Sequence, residues 1–326
     1  MKPIRRHYLL VAQLLISGAL LAWLINFANP ADLLAAARHV SPLGLLVTGG
    51  LTVIVVALVA LRQWIVLRSL GIALSLGQAT ALTWMGLFAN NFLPSSVGGD
   101  AAIAAALQRR YRRLGTIIAG LLLNRVIGLI ALLMLLLLLL VVVDLGPLQD
   151  IMYRLLWWCM GLLGAVVIGG GVLLLALHAS DRLSRLMASL MSRLRIVGET
   201  AISIGRISAT ALAISLLIAL LAAIAPALLA QWQYPPAGFW ATATIIMMLQ
   251  LVQLVPISFN GIGVAESVTT YCLTQIGWPL QEAVLFSLLV RGLNIAVSLP
   301  GVLVILFPSL LAEAPDDAMP ARALND

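Results

Sequence analysis

The chain has 326 residues, of which 62% are hydrophobic and only 10% are charged, and its formal net charge is +7. Soluble domains carry about 25% charged residues, so this composition excludes an ordinary soluble protein. The apolar runs exceed the roughly 18 residues that cross a bilayer as a helix, and strand-type alternation is absent from them, which predicts an all-α integral membrane protein. Because the basic residues cluster between the apolar runs, they indicate membrane orientation rather than nucleic-acid binding.

The first half of the chain predicts two full spans, a broken hairpin and a third span. In chain order, its helical segments are residues 8–28, 43–67, 76–93, 100–108 and 114–143, with connections at 29–42 and 144–149. Basic residues precede the first segment, lie near the end of the second, and follow the fourth: Lys2, Arg5, Arg6, Arg62, Arg68, Arg109, Arg110, Arg112 and Arg113. Since basic residues favour the cytoplasmic side, this pattern predicts a cytoplasmic N-terminus and a re-entrant hairpin rather than two crossings.

The second half repeats this order. Its segments are residues 151–177, 208–232, 239–255, a short helix ending at Gln275, and 282–307. Arginines and an i, i+3, i+4 apolar pattern between 182 and 195 indicate an amphipathic helix, which lies on the cytoplasmic membrane face or packs on the protein. Residues 1–310 are predicted to form one membrane domain with halves of about 1–148 and 149–310, and residues 311–326 a disordered polar tail. The total is six full spans and two re-entrant hairpins, or alternatively eight spans.

Each half carries one acid just after its Pro/Gly break and one arginine inside the next long span. Asp100 precedes Arg125 by 25 residues, and Glu266 precedes Arg291 by the same 25. If the first half starts from the cytoplasm, the second starts from outside. This arrangement is typical of an inverted-topology repeat, in which the site lies near the midplane at the broken helices.

The four charged residues need partners within the membrane, because an unpaired charge there is costly. The acids and arginines can pair within each half or between the halves. One interpretation is purely structural: the pairs fix the fold, or the acids stabilise helix N-termini. The functional interpretation has Arg125 and Arg291 contact a lipid headgroup, while Asp100 and Glu266 hold them in place or act as switches. The neighbouring residues that would admit or contact the headgroup are Asn90, Asn91, Ser95, Ser96, Gly98, Gly99, Ser258, Asn260, Gly261 and Gly263.

Other functional motifs are missing from the sequence. It contains no phosphate-binding P-loop, no GxGxxG, no metal-ligand spacing and no local nucleophile motif, so no cofactor or metal is expected and transport would be driven by a gradient or run passively. Cys159 and Cys272 lie in apolar surroundings and predict no disulfide. The cluster Arg109, Arg110, Arg112 and Arg113 either marks topology or contacts anionic lipid headgroups.

The two breaks resemble the signatures of a known family. The run Asn91-Phe92-Leu93-Pro94-x-x-x-Gly98-Gly99-Asp100, with Asn124-Arg125 downstream, is similar to the first signature of the lysylphosphatidylglycerol synthase transmembrane-region family. The run Pro256-Ile257-Ser258-x-Asn260-Gly261-Ile262-Gly263-x-x-Glu266 is similar to the second. The family is also called flippase-like and includes the membrane part of the multiple peptide resistance factor. The resemblance covers about residues 5–310.

The resemblance implies a bacterial inner-membrane protein that translocates or handles lipids. Fused family members carry a C-terminal domain that transfers an aminoacyl group to phosphatidylglycerol. This chain ends at Asp326, so we expect no such activity and no enzyme. The expected function is a flippase or transporter for a phospholipid, glycolipid or polyprenyl-phosphate-linked lipid. The alternative is a non-transporting accessory protein for a lipid-modifying or envelope-biosynthesis enzyme. A membrane-embedded transferase is disfavoured because no nucleophile–base pair or metal set is evident.

Overall fold

The computed structural model describes residues 15, 17–92, 98–158, 160–161, 201–236, 238–253, 259–307 and 311. Every regular element within these residues is helical, as predicted. In chain order they are α1 Ser17–Phe27, α2 Pro30–Ala37, α3 Pro42–Ser69, α4 Leu76–Phe92, α5 Gly98–Tyr111, α6 Leu114–Val142, α7 (149–158), α8 Ala201–Gln233, α9 Phe239–Val252, α10 Val264–Gln275, α11 Leu280–Ser298 and α12 Pro300–Leu306. Single 3₁₀ turns lie at Gly146–Leu148 and Phe259–Gly261.

Four helical stretches are long and apolar enough to cross a membrane. They are Pro42–Ser69, Leu114–Val142, Ala209–Gln233 and Leu280–Leu306, and the bent pair of α1 and α2 is a candidate for a fifth. The lipid-facing side is apolar: Leu138 and Val142 on α6 are strongly exposed. The predicted total of six or eight spans stays a prediction. Most of 151–177, the amphipathic helix at 182–195 and nearly all of the tail lie outside the described residues.

The predicted connection at residues 29–42 is wrong in one respect, because it contains the helix α2. Asn29 caps this helix by accepting the Ala31 N–H at 3.2 Å, and Pro30 supplies a favourable first helical residue. The chain bends by 79° between α1 and α2. Ser41 then starts α3 by accepting the Gly44 N–H at 3.1 Å. A capping residue followed by proline therefore begins both α2 and α3. As a result, residues 29–42 contain a helix between two turns, whereas the sequence analysis expected a single connection.

The first broken segment folds back as a helical hairpin, α4 and α5. Its tip is tightly packed, since a Cβ at Gly99 would come within 2.3 Å of the Gly86 carbonyl oxygen. At its open end, the Tyr111 hydroxyl donates to the Ala73 carbonyl, so the start of α4 and the end of α5 lie together. This end also carries Arg113, where α6 begins, and we call it the Arg113 end.

The second hairpin, α9 and α10, opens at the opposite end of α6. The Tyr234 and Trp278 rings, which flank this hairpin, lie 5.2 Å apart. Trp278 belongs to the same apolar core as Leu145 and Leu148, which follow the C-terminus of α6. Because α6 has 29 residues, its two ends are roughly 43 Å apart. We call this end of the molecule, near the C-terminus of α6, the Trp278 end. The two hairpins therefore open at opposite ends of the molecule.

The close contact at Gly99 gives a first testable prediction. Gly99→Ala is expected to lower the free energy of unfolding by about 1–3 kcal/mol, because its methyl group would collide with the α4 backbone. Gly115→Ala in α6 is the matched control, since a Cβ there has no heavy atom within 4 Å. Denaturant unfolding in detergent measures both variants. Equal stability of the two would contradict the tight hairpin tip.

Candidate functional site

The tips of the two hairpins meet inside the protein. Asn91, in the last turn of α4, accepts a hydrogen bond from the Asn260 side-chain amide, with an Nδ2–Oδ1 distance of 2.9 Å. Asn260 has φ 48° and ψ 32°, in the left-handed region that asparagine tolerates better than most residues. The two segments that sequence analysis singled out are therefore brought together, although 169 residues separate these asparagines.

A cavity of about 340 Å³ opens beside this contact. Its volume falls in the range of small-molecule sites, roughly 300–1,000 Å³. Residues of α3, α4 and α8–α11 line it, together with Asn260 from the second break. Six lining residues are carboxamides: Asn90, Asn91, Gln250, Gln253, Asn260 and Asn294. Four are hydroxyls: Thr48, Thr52, Thr269 and Ser287.

The charged residues of the cavity are Glu266 and Arg291. Arg291 Nε donates to Glu266 Oε1 at 2.5 Å, and the Gly263 N–H donates to Oε2 at 2.6 Å. Both carboxylate oxygens therefore have donors. The Glu266 side chain is 2% exposed and that of Arg291 is 17% exposed. The arginine has its counter-charge beside it in a nearly dry environment, and the pair adds no net charge to the cavity.

The first half forms the equivalent pair elsewhere. Arg125 Nε donates to Asp100 Oδ2, and the two side chains are 38% and 25% exposed. Neither residue lines the cavity. The acids and arginines thus pair within each half, and cross-pairing is excluded. The common spacing of 25 residues singled out these four residues, but it left pairing between the halves open and could not predict that only one pair faces the cavity.

The glycines at the two breaks have structural tasks. The Gly99 N–H donates to Asn90 Oδ1 at 2.7 Å, and the Gly263 N–H is bonded to Glu266. These two backbone amides are therefore not free to bind an anionic headgroup. Gly98 and Gly99 are buried at the start of α5. A Cβ added at Gly261 would lie 3.5 Å from the Gln253 side chain. Ser95, Ser96 and Ser258 lie outside the described residues.

Pro226 shapes one wall of the cavity and was missed in the sequence analysis. It lies inside α8, where a proline has no N–H to donate to the carbonyl of Ala222 one turn earlier. Both residues line the cavity, and the Thr48 hydroxyl donates to the Ala225 carbonyl at 3.1 Å. A proline within an otherwise unbroken apolar run was the signal that could have revealed this wall.

Arg62 is a buried arginine rather than a marker of a span end. Its side chain crosses to two other helices, where Nε donates to Asn124 and a terminal nitrogen donates to Ser215, both at 2.9 Å. The residue is only 8% exposed. The expectation that Arg62 marks the cytoplasmic end of the second span is therefore wrong. Arg62 precedes the end of α3 by seven residues, or about 10 Å of helix, a depth that could have indicated its burial.

The contact between the hairpin tips gives a second prediction. In a double-mutant cycle of Asn91→Ala and Asn260→Gly, we expect a coupling of about 0.5–1.5 kcal/mol in unfolding free energy, the usual net value of a neutral hydrogen bond. Glycine is chosen at position 260 because it keeps the positive φ accessible. Additive effects of the two substitutions would contradict a direct contact.

Comparison with known proteins adds one finding. A family model described as lysylphosphatidylglycerol synthase TM region matches residues 10–301, a range that contains both hairpins and the cavity. No curated protein and no solved structure gives a match.

Proposed function

Because the chain belongs to the lysylphosphatidylglycerol synthase TM region family, we propose that it flips or transports an amphipathic lipid across the bacterial inner membrane. The observation that carries this proposal is the polar cavity where two hairpins from opposite ends of the molecule meet. Broken helices with polar residues at their tips are a common setting for transporter sites. The proposed reaction is movement of an intact lipid, with no group transfer.

A lipid would place its headgroup in the cavity and leave its tails in the bilayer. Arg291 and the carboxamides around it are the proposed headgroup contacts. Asp100 and Arg125 have a different proposed task, because they join the first hairpin to α6 outside the cavity. The earlier hypothesis of two equivalent arginine contacts therefore becomes a proposal of one contact residue and one hairpin anchor.

Each hairpin tip is joined to its own half by an ion pair, while α4 is also held to the second half: the Trp84 indole donates to the Val297 carbonyl at 2.9 Å, and Gly301 packs against the Trp84 backbone. An ion pair attaches each hairpin to the following helix of the same half. The tips contact each other through the neutral Asn91–Asn260 hydrogen bond, which contributes only about 1 kcal/mol. We therefore propose that the tip contact opens while the ion pairs and the contact between α4 and α12 stay closed, so that the cavity becomes accessible to a lipid headgroup.

Reconstitution of the purified chain in liposomes tests this function. Fluorescent phosphatidylglycerol, a glycolipid and a polyprenyl phosphate are each supplied, and an impermeant quencher reports the label that reaches the outer leaflet. We expect protein-dependent movement of one of these lipid classes above the rate in empty liposomes. If none of them moves, the transport proposal is contradicted and the accessory role takes its place.

A further inference from the structure

We infer that the cavity selects a neutral, hydroxyl-rich lipid headgroup, of the glycosyl or polyol type, over an anionic phosphate headgroup. This inference deepens the proposed function and rests on it for the assumption that the cavity receives a lipid. It follows from three properties of the cavity: its balanced charge, its hydrogen-bonding groups and its mixed polar and apolar lining.

The charge of the cavity argues against a phosphate. Cationic side chains form the strongest hydrogen bonds to a phosphate, but the charge of Arg291 is already balanced by the Glu266 carboxylate at 2.5 Å. The carboxylate is fixed in this position by the Gly263 N–H and is 2% exposed. An incoming phosphate would have to displace it or lie beside it as a second anion. Either event is unfavourable, because like charges repel strongly beside a carboxylate that is almost fully buried.

The carboxamides of the cavity suit hydroxyl groups. Each Asn or Gln side chain offers two N–H donors and one carbonyl acceptor, and a hydroxyl group likewise both donates and accepts. Six carboxamides and four hydroxyl side chains surround the one ion pair. Several adjacent hydroxyls on a ligand could therefore each find a donor and an acceptor. A phosphate oxygen accepts only, so the side-chain carbonyls of Gln250, Gln253, Asn260 and Asn294, which accept no hydrogen bond from the described part of the chain, would stay without a partner.

Much of this hydrogen-bonding capacity is still open. Asn91 uses its carbonyl oxygen to accept from Asn260, and Asn90 uses its own to accept from Gly99. The side-chain amide nitrogens of both residues, and the carboxamide of Gln250, make no hydrogen bond to the described part of the chain. These groups lie on α4 and α9, so a headgroup between them would contact both hairpins.

The rest of the lining is apolar. Val55, Leu87 and Leu249 contribute hydrocarbon surface beside the amides. A ring that carries hydroxyls at its rim and C–H groups on its face matches such a mixture, whereas a hydrated phosphate does not. The volume of about 340 Å³ limits the ligand to a small headgroup, since it lies near the lower bound for small-molecule sites.

Binding to the full chain tests this inference independently of transport. The protein is placed in phosphatidylcholine nanodiscs and titrated with monoglucosyldiacylglycerol or with phosphatidylglycerol of the same acyl chains, and free glucose is added as a competitor. We expect the glucosyl lipid to bind at least about tenfold more tightly than phosphatidylglycerol, with little dependence on salt. Tighter or equal binding of phosphatidylglycerol, or no binding of the glucosyl lipid, would overturn the inference. Free glucose that competes as well as the lipid would overturn the lipid-linked assignment.

A matched pair of variants locates the binding. Gln250→Leu removes one cavity carboxamide and is expected to weaken binding of the glucosyl lipid roughly 3- to 10-fold, whereas Gln275→Leu, at the exposed end of α10, should change nothing. Equal effects of the two substitutions would place the ligand elsewhere and reject the inference. Selective binding without any flipping in liposomes would instead reject the transport function while it supports the headgroup preference.

Discussion

Arg291→Gln is expected to destabilise the protein by about 3–5 kcal/mol, the usual cost of removing one partner from a buried ion pair. The Glu266 carboxylate, 2% exposed, would lose its counter-charge while still held by the Gly263 N–H. A neutral glutamine cannot balance this charge, although it still fills much of the volume. Titration with a denaturing detergent measures the loss of unfolding free energy.

Two controls separate lost charge balance from lost packing. The double variant Glu266→Gln with Arg291→Gln removes both charges and should recover much of the stability. Arg125→Gln should cost clearly less, because the Asp100–Arg125 pair is 25% and 38% exposed and its remaining carboxylate stays partly accessible. If Arg125→Gln is as damaging as Arg291→Gln, the two pairs are equivalent and the assigned difference between them is wrong.

Gly263→Ala is expected to lower the free energy of unfolding by roughly 2–6 kcal/mol. Gly263 has φ +83° and ψ −48°, a conformation outside the left-handed helical region, which an alanine adopts at a cost of about 1–3 kcal/mol. An added Cβ would also come within 2.6 Å of the Leu20 Cβ and 3.0 Å of the Ser17 carbonyl oxygen, both on α1. The overpacking adds about 1–3 kcal/mol and would push α1 away from the second break.

Gly277→Ala isolates the steric part of this effect. Gly277 has φ +92°, but a Cβ there has no heavy atom within 4 Å, so its substitution carries only the backbone cost. Thermal unfolding in detergent should therefore give a clearly lower midpoint for Gly263→Ala than for Gly277→Ala. Identical midpoints would mean that α1 does not pack against Gly263.

Local signals in the sequence predicted the hairpins and singled out the four residues that form the two ion pairs. The breaks at residues 94–99 and 256–263 combine proline with several glycines, a combination that favours the end of a helix. The arginines after the first hairpin predicted that it returns to its starting side, and Tyr111 indeed contacts Ala73 there. The spacing of 25 residues made pairing within each half possible, because one short helix and part of the next connect each acid to its arginine, but pairing between the halves was equally allowed.

The environment of each charge could not be predicted in this way. Burial of Arg62 depends on Asn124 and Ser215, which lie on two other helices and have no sequence spacing in common with it. The location of Glu266 in the cavity, and of Asp100 outside it, likewise depends on how the helices pack. Both halves carry the same residue types, so a pattern within one half cannot distinguish them.

Blocking the cavity tests its proposed role most directly. Ala222→Phe places an aromatic ring in the lining of α8, and Ala296→Phe places the same ring on an exposed position of α11 outside the cavity. Both proteins are reconstituted at equal density, and lipid flipping is measured for the lipid that the unmodified chain moves. The account predicts that Ala222→Phe abolishes flipping while Ala296→Phe retains it. Undiminished flipping by a folded Ala222→Phe protein would show that lipid headgroups do not pass through this cavity.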